Sequence, residues 1–128
     1  MELKLDIVPL SLNKLFRLGW KALDRYRKDI ALEVGWAIKQ QKLRPVSYPV
    51  VLDFEVSFGL KRIRDYDNYI GGAKFFIDPL REMKILSEDN SNVVKEIRMR
   101  FVNGGKDKTI IRIRKYDQSD RNDNPQSL

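Results

Sequence analysis

Apolar and polar positions alternate from Leu3 to Val8, with Leu3, Leu5 and Ile7 on one side, which predicts a first strand ended by Pro9. Ser11 and Asn13 follow, either of which suits a helix N-cap. From Asn13 to about Gln41 the period changes. Leu15, Gly19, Ala22, Tyr26, Ile30, Val34 and Ala37 recur at steps of three and four, widened by Phe16, Leu23 and Ile38. That pattern predicts a long amphipathic helix with a possible break at Gly19 or Gly35. The stretch KLRPVSYPV is a linker punctuated by Pro45 and Pro49. VVLDFEVSFGLK then reads as a strand, with Phe54, Val56 and Phe58 on one face and Asp53, Glu55 and Ser57 on the other. A second helix is predicted from Tyr69 to about Met83, kinked or ended by Pro79. Two strands, Val93–Phe101 and Thr109–Tyr116, flank the Gly-rich turn Asn103–Lys108 and are expected to pair as a hairpin. The fold class expected is α+β: a mixed, largely antiparallel sheet with two main helices. Residues 1–116 form one domain, and the polar stretch 117–128 is expected to be a disordered tail.

Charge changes the picture next. The 128 residues carry a formal charge of +7, with 34% charged residues and a pI near 9.7. Such a balance favours a polyanionic partner, nucleic acid before an anionic membrane surface. The outward side chains of the expected hairpin, Arg98, Arg100, Arg112 and Arg114, make it basic. Lys14, Arg17, Lys21, Arg25 and Lys28 form a second line at helical spacing, suited to a phosphate backbone or to a solvated helix face.

There is no Cys and no His. Disulfides, thiolate catalysis, imidazole bases and the usual zinc sites are excluded. Chemistry must come from Asp, Glu, Lys, Arg, Tyr or Ser, and a metal would be a hard cation such as Mg²⁺ or Mn²⁺. No stretch approaches the roughly 20 apolar residues of a membrane span. The first residues lack the apolar run of a signal peptide, so a cytoplasmic location is expected.

Against this basic background, RDYDNYIGGAK (Arg64 to Lys74) holds two carboxylates two residues apart. In an extended segment Asp65 and Asp67 would point the same way, about 6–7 Å apart, within reach of one cation. Asp67 or Asn68 would cap the next helix. Lys74, seven residues past Asp67, would return to the same helical face. SEDN supplies a third carboxylate, from Glu88 or Asp89. An acidic cluster with one lysine suits metal-assisted phosphodiester hydrolysis. The same residues also fit turn, capping and surface ion-pair roles, with Lys74 and Asp78 spaced i,i+4.

Taken together, RDYDNY, GGAKFFIDPL and ILSEDN, with PLSLNK near the N-terminus, resemble the RusA family of Holliday junction resolvases, common in prophages. The resemblance spans about Val8 to Phe101. It implies metal-binding aspartates at Asp65, Asp67 and Asp89, with Glu88 in the first place of the acidic pair, and a catalytic lysine at Lys74. Asn68 matches the asparagine after the second aspartate and Asn13 the N-terminal asparagine. Relative to the shorter bacterial version, the chain is about one turn longer between Asn68 and Lys74, and Glu88 replaces the more usual aspartate. The implied activity is Mg²⁺-dependent endonuclease cleavage, with Mn²⁺ as a substitute. A homodimer would resolve four-way DNA junctions by paired symmetric nicks in recombination and repair, without an organic cofactor or a membrane. DNA contacts are expected from Asn13, Lys14, Arg17, Lys61, Arg62, Arg64 and Asn68. The competing expectations are a non-catalytic module that binds branched DNA, and a Mg²⁺ nuclease for flaps or single strands.

Overall fold

Strands β1 (Glu2–Leu5), β2 (Val50–Ser57), β3 (Val94–Val102) and β4 (Lys108–Lys115) form one sheet in the order β1-β4-β2-β3. The coordinates are a computed structural model that describes residues 1–60, 63–88 and 90–117. β4 runs antiparallel to both β1 and β2, whereas β2 and β3 are parallel. Helices α1 (Leu12–Arg17) and α2 (Trp20–Gln40) lie between β1 and β2 in sequence. Between β2 and β3 come α3 (Asp67–Ile70), a 3₁₀ turn (Gly71–Ala73) and α4 (Lys74–Glu82). The architecture is α+β, with a mixed and mostly antiparallel sheet and two main helices, α2 and α4.

The core lies on one face of the sheet. Ile30, Val34 and Ile38 of α2 and Phe76, Ile77 and Leu80 of α4 close over Leu3, Leu52, Phe54, Val56 and Ile111. Phe54 and Phe76, both fully buried, meet edge to face at 6.2 Å. The spacing of the α2 residues put one stripe inward, which is the helical signal seen in the sequence.

Of the two places where a break was expected, Gly19 is the one that breaks, so the long N-terminal stretch is two helices. The chain leaves helical geometry at Leu18 and Gly19, so the line of basic residues is divided, with Lys14 and Arg17 on α1 and Lys21, Arg25 and Lys28 on α2. Glycine disfavours helix equally at Gly35, which nonetheless stays inside α2. Pro79 sits inside α4 without ending it; the helix stops at Glu82, and Lys84 takes a left-handed conformation at φ 62°.

Most consequential, β3 and β4 do not pair with each other. β2 lies between them. Its residues Val50, Val51, Leu52, Phe54 and Val56 are almost completely buried, and a central strand has neighbours on both sides to bury them. The Gly-rich turn therefore spans two strand spacings, about 9.6 Å, and passes over the end of β2. There Ser57 Oγ donates to the Lys106 carbonyl at 2.7 Å, and the Gly59 amide donates to Asp107 Oδ1 at 2.8 Å.

The opposite sheet face is charged and compensated. Register places Glu2, Arg112, Asp53 and Arg98 side by side across all four strands, alternating in sign. Arg112 Nε donates to Glu2 at 3.0 Å, Arg114 Nε to Asp53 at 3.0 Å, Arg100 to Glu55 at 2.6 Å and Arg98 Nε to Glu96 at 2.8 Å. The arginines expected to make a basic hairpin thus face carboxylates. Once β2 is inserted, its Asp53 and Glu55 become their neighbours.

Burial pushes the Glu55 carboxyl up, but the Arg112 and Arg100 guanidiniums outweigh it and hold it below its ordinary value of 4.5. The stabilisation it contributes is present above about pH 4.5 and lost as pH falls through the lower folded-state value. Glu55→Gln is expected to cost about 1 kcal/mol at pH 7 and to flatten the fall in stability between about pH 5 and pH 3. Urea unfolding at pH 7, 5 and 3 measures it; parallel pH profiles for the two proteins would contradict the assignment.

Candidate functional site

Two segments far apart in sequence build the site: Pro9–Asn13 before and at the start of α1, and Arg64–Asn68 ahead of and into α3. Ser11 is the N-cap of α1, its hydroxyl accepting from the Lys14 amide at 3.2 Å. Of the two capping residues expected there, Ser11 takes the role and leaves Asn13 inside the first turn. The Leu10 amide donates to the Tyr26 hydroxyl at 3.3 Å. Burial pushes the Tyr26 phenol up, partly opposed by that Leu10 contact. Across the gap, the Asn13 amide donates to Asn68 Oδ1 at 3.2 Å.

Close approach of the segments depends on the glycine pair. A Cβ added to Gly72 would lie 2.9 Å from the Leu10 carbonyl oxygen and 3.1 Å from Pro9 Cβ. At Gly71 it would lie 2.7 Å from a Leu12 methyl carbon. Any other residue at Gly72 pushes against backbone.

The carboxylates meet by a different geometry from the one the sequence suggested. β2 ends at Ser57, and Tyr66 is helical (φ −56°, ψ −43°) rather than extended. Asp67 is the first residue of α3; the N-cap is Tyr66, without a side-chain hydrogen bond. Neither Asp67 nor Asn68 caps the helix, and the Asn68 side chain is turned to Asn13 instead. Even so, Asp65 and Asp67 line one cleft of about 590 Å³ with Leu12, Asn13, Phe16, Arg64, Tyr66 and Asn68.

Arg64 borders this cleft and a second one of about 610 Å³, which reaches Lys14 and Asp107. Its guanidinium lies 3.9 Å from the centre of the Phe58 ring, and Nη1 donates to the Leu60 carbonyl at 2.9 Å. Arg64 thus lines the same cleft as the two aspartates while its guanidinium lies over an aromatic face.

The remaining site candidates are placed as follows. Lys74 opens α4 and is exposed, outside the cleft lining; Asp78 is half-buried on the same helix. Because α3 passes into a 3₁₀ turn before α4, seven residues do not amount to two regular α-helical turns. Glu88 is exposed. Asp89, Lys61 and Arg62 lie outside the described residues, as does the expected tail from residue 118 onward. Among the described residues no group of three carboxylates is gathered, so Asp65 and Asp67 are the acidic pair the site presents. Their oxygen donors suit a hard divalent cation.

Two cleft residues escaped the sequence reading. Phe16 was expected in the apolar stripe but is 80% exposed. Leu15 and Phe16 are about 100° apart on a helix, and in this helix of six residues only Leu15 is buried. Tyr66 drew no reading of its own, yet the residue is 50% exposed and lines the cleft.

An α+β domain with an acidic cleft bordered by a stacked arginine is the class that fold and site define. The chain matches no model of a known protein family, and no curated protein matches it. No described helix is long and apolar enough to cross a membrane.

Proposed function

We propose that the protein is a Mg²⁺-dependent, structure-selective DNA endonuclease that resolves four-way junctions by paired nicks. The observation that carries this reading is the meeting of PLSLN with RDYDN in one cleft, joined through Asn13 and Asn68 and lined by both aspartates. They are two of the four segments on which the resemblance to RusA resolvases rests, and they come together from 55 residues apart.

The reaction is hydrolysis. Water gives up a proton and bonds to phosphorus, the bond from phosphorus to one deoxyribose oxygen breaks, and that oxygen leaves as a hydroxyl after taking up a proton. Asp65 and Asp67 would hold Mg²⁺, with Mn²⁺ able to substitute, and Asp89 is the third ligand proposed. The cation would lower the pKa of the attacking water and polarise the phosphate. Arg64 and Lys14 border the clefts and would hold phosphate oxygens on either side of the scissile bond. Lys74 would stabilise the charge that develops on the phosphate oxygens. A junction has two-fold symmetry, so a two-fold dimer would present one such cleft to each of two opposed strands. Phosphate contacts position DNA without reading it, which suits selection by structure rather than sequence.

Mg²⁺-dependent nicking of a synthetic four-way junction, with flap, duplex and single strand assayed beside it, tests the reading. The junction is expected to be cut fastest. Preference for the flap or single strand would reassign the substrate. Tight binding without nicking in either Mg²⁺ or Mn²⁺ would leave a non-catalytic module. Lys74→Ala is expected to slow nicking by at least about tenfold and to leave junction affinity unchanged. Loss of affinity without a slower single-turnover rate would make Lys74 a plain phosphate contact.

A further inference from the structure

Tyr66, between Asp65 and Asp67 in the chain, is half exposed in the cleft, and its ring is backed on one face. Phe101 lies beneath it in parallel, 4.4 Å between ring centres and 10° between planes. Phe101 is itself held edge-on by Phe58 at 5.6 Å and by Tyr69 at 5.6 Å. Tyr69 is buried, and Arg64 covers the Phe58 ring. One face of the Tyr66 ring therefore rests on a braced aromatic group while the residue as a whole stays 50% exposed. The exposed Phe16 lines the same cleft. An apolar plane kept in water gains nothing for the fold, whereas a planar ligand would bury it.

We infer that Tyr66 is a stacking platform for an unpaired nucleobase beside the cleft lined by Asp65 and Asp67, with Phe101 as its backing. The inference rests on the nuclease reading of this cleft and adds what selects the substrate. Tyr66 is adjacent in the chain to Asp65, its Cα about 3.8 Å away, so a base on its ring belongs to a nucleotide at or beside the bound phosphate. Within a continuous duplex both faces of each base are already covered by neighbours. At a branch point one face is open, or opens at small cost. Every base offers such a face, so stacking favours branched over linear DNA without sequence readout. Duplex binding would rest on phosphate contacts alone and would not use Tyr66.

The test measures junction affinity by fluorescence anisotropy without divalent cation, for the wild type, Tyr66→Ala and Tyr66→Phe. Each is titrated with an intact four-way junction, a matching duplex, and junctions carrying one abasic nucleotide at each position around the crossover. Tyr66→Ala is expected to weaken junction binding by about tenfold and duplex binding by less than about twofold, with Tyr66→Phe restoring wild-type affinity. One abasic position should weaken the wild type by a similar factor and erase its difference from Tyr66→Ala. Equal loss for junction and duplex, or indifference to every abasic position, overturns the platform. Should Tyr66→Ala fail to fold by circular dichroism, the abasic series with wild-type protein decides. A junction held with this signature but never nicked sinks the nuclease reading and leaves stacking in place. Nicking that persists with Tyr66→Ala at unchanged junction affinity does the reverse, and failure to bind any DNA removes both.

Discussion

Asp67→Asn is expected to lower the single-turnover rate of junction nicking by about a thousandfold, roughly 4 kcal/mol of barrier, while junction affinity stays within a few-fold. The replacement keeps shape and volume and removes one negative charge. Asp67 is exposed at the start of α3 and belongs to no interior packing, so the fold has little reason to notice. An amide oxygen is a weaker ligand for a hard cation than a carboxylate, and with only Asp65 beside it the described part of the site loses half its charge. Raising Mg²⁺ should recover part of the rate if the defect is in cation affinity. Should Asp67→Asn cut at the wild-type rate, the acidic pair is not the metal site, whatever else the cleft does.

Gly72→Val is expected to lower stability by about 2–3 kcal/mol, or roughly 10 °C in melting temperature. Nicking should fall well beyond the unfolded fraction at 20 °C. The contact a Cβ would make is with the Leu10 carbonyl at 2.9 Å, and Leu10 is tied through its amide to Tyr26. Relief requires the Pro9–Asn13 segment to move away from α3, which breaks the Asn13–Asn68 bond and opens the cleft on one side. Gly71→Ala provides the comparison: its nearest neighbour is a Leu12 methyl, which can rotate, so a smaller loss is expected. If Gly72→Val melts and cuts like the wild type, close packing at the glycine pair is not what shapes the site.

The RDYDNYIGGAK segment shows both how far the sequence reaches and where it stops. Residue types alone pointed to hard-cation chemistry, because a basic chain without His or Cys had placed Asp65 and Asp67 together. The reason for bringing them together was wrong in detail. An extended segment was assumed, whereas Tyr66 turns into α3. The glycines of GGAK read only as weak helix formers, because their partners, Pro9, Leu10 and Leu12, are about 60 residues earlier. Phe16 and Tyr66 carried no signal of exposure, since an aromatic residue in a short helix or turn is more often buried.

Periodicities of two and 3.6 placed the strands, the inward stripe of α2 and the basic side chains on their elements, because those patterns are local and each residue contributes to them independently. Strand order is not local. Thr109–Tyr116 looked like the partner of Val93–Phe101 because a short Gly-rich turn joins them, yet the burial demand of β2 placed that strand between them. That one insertion set Asp53 and Glu55 opposite the arginines and turned an apparent cationic surface into an ion-paired one. The amino-acid sequence by itself determined which side chains were available for chemistry and which faces had to be buried. Which charges were neutralised, and which distant segments closed the acidic cleft, was decided only by tertiary packing, since both depend on neighbours dozens of residues away.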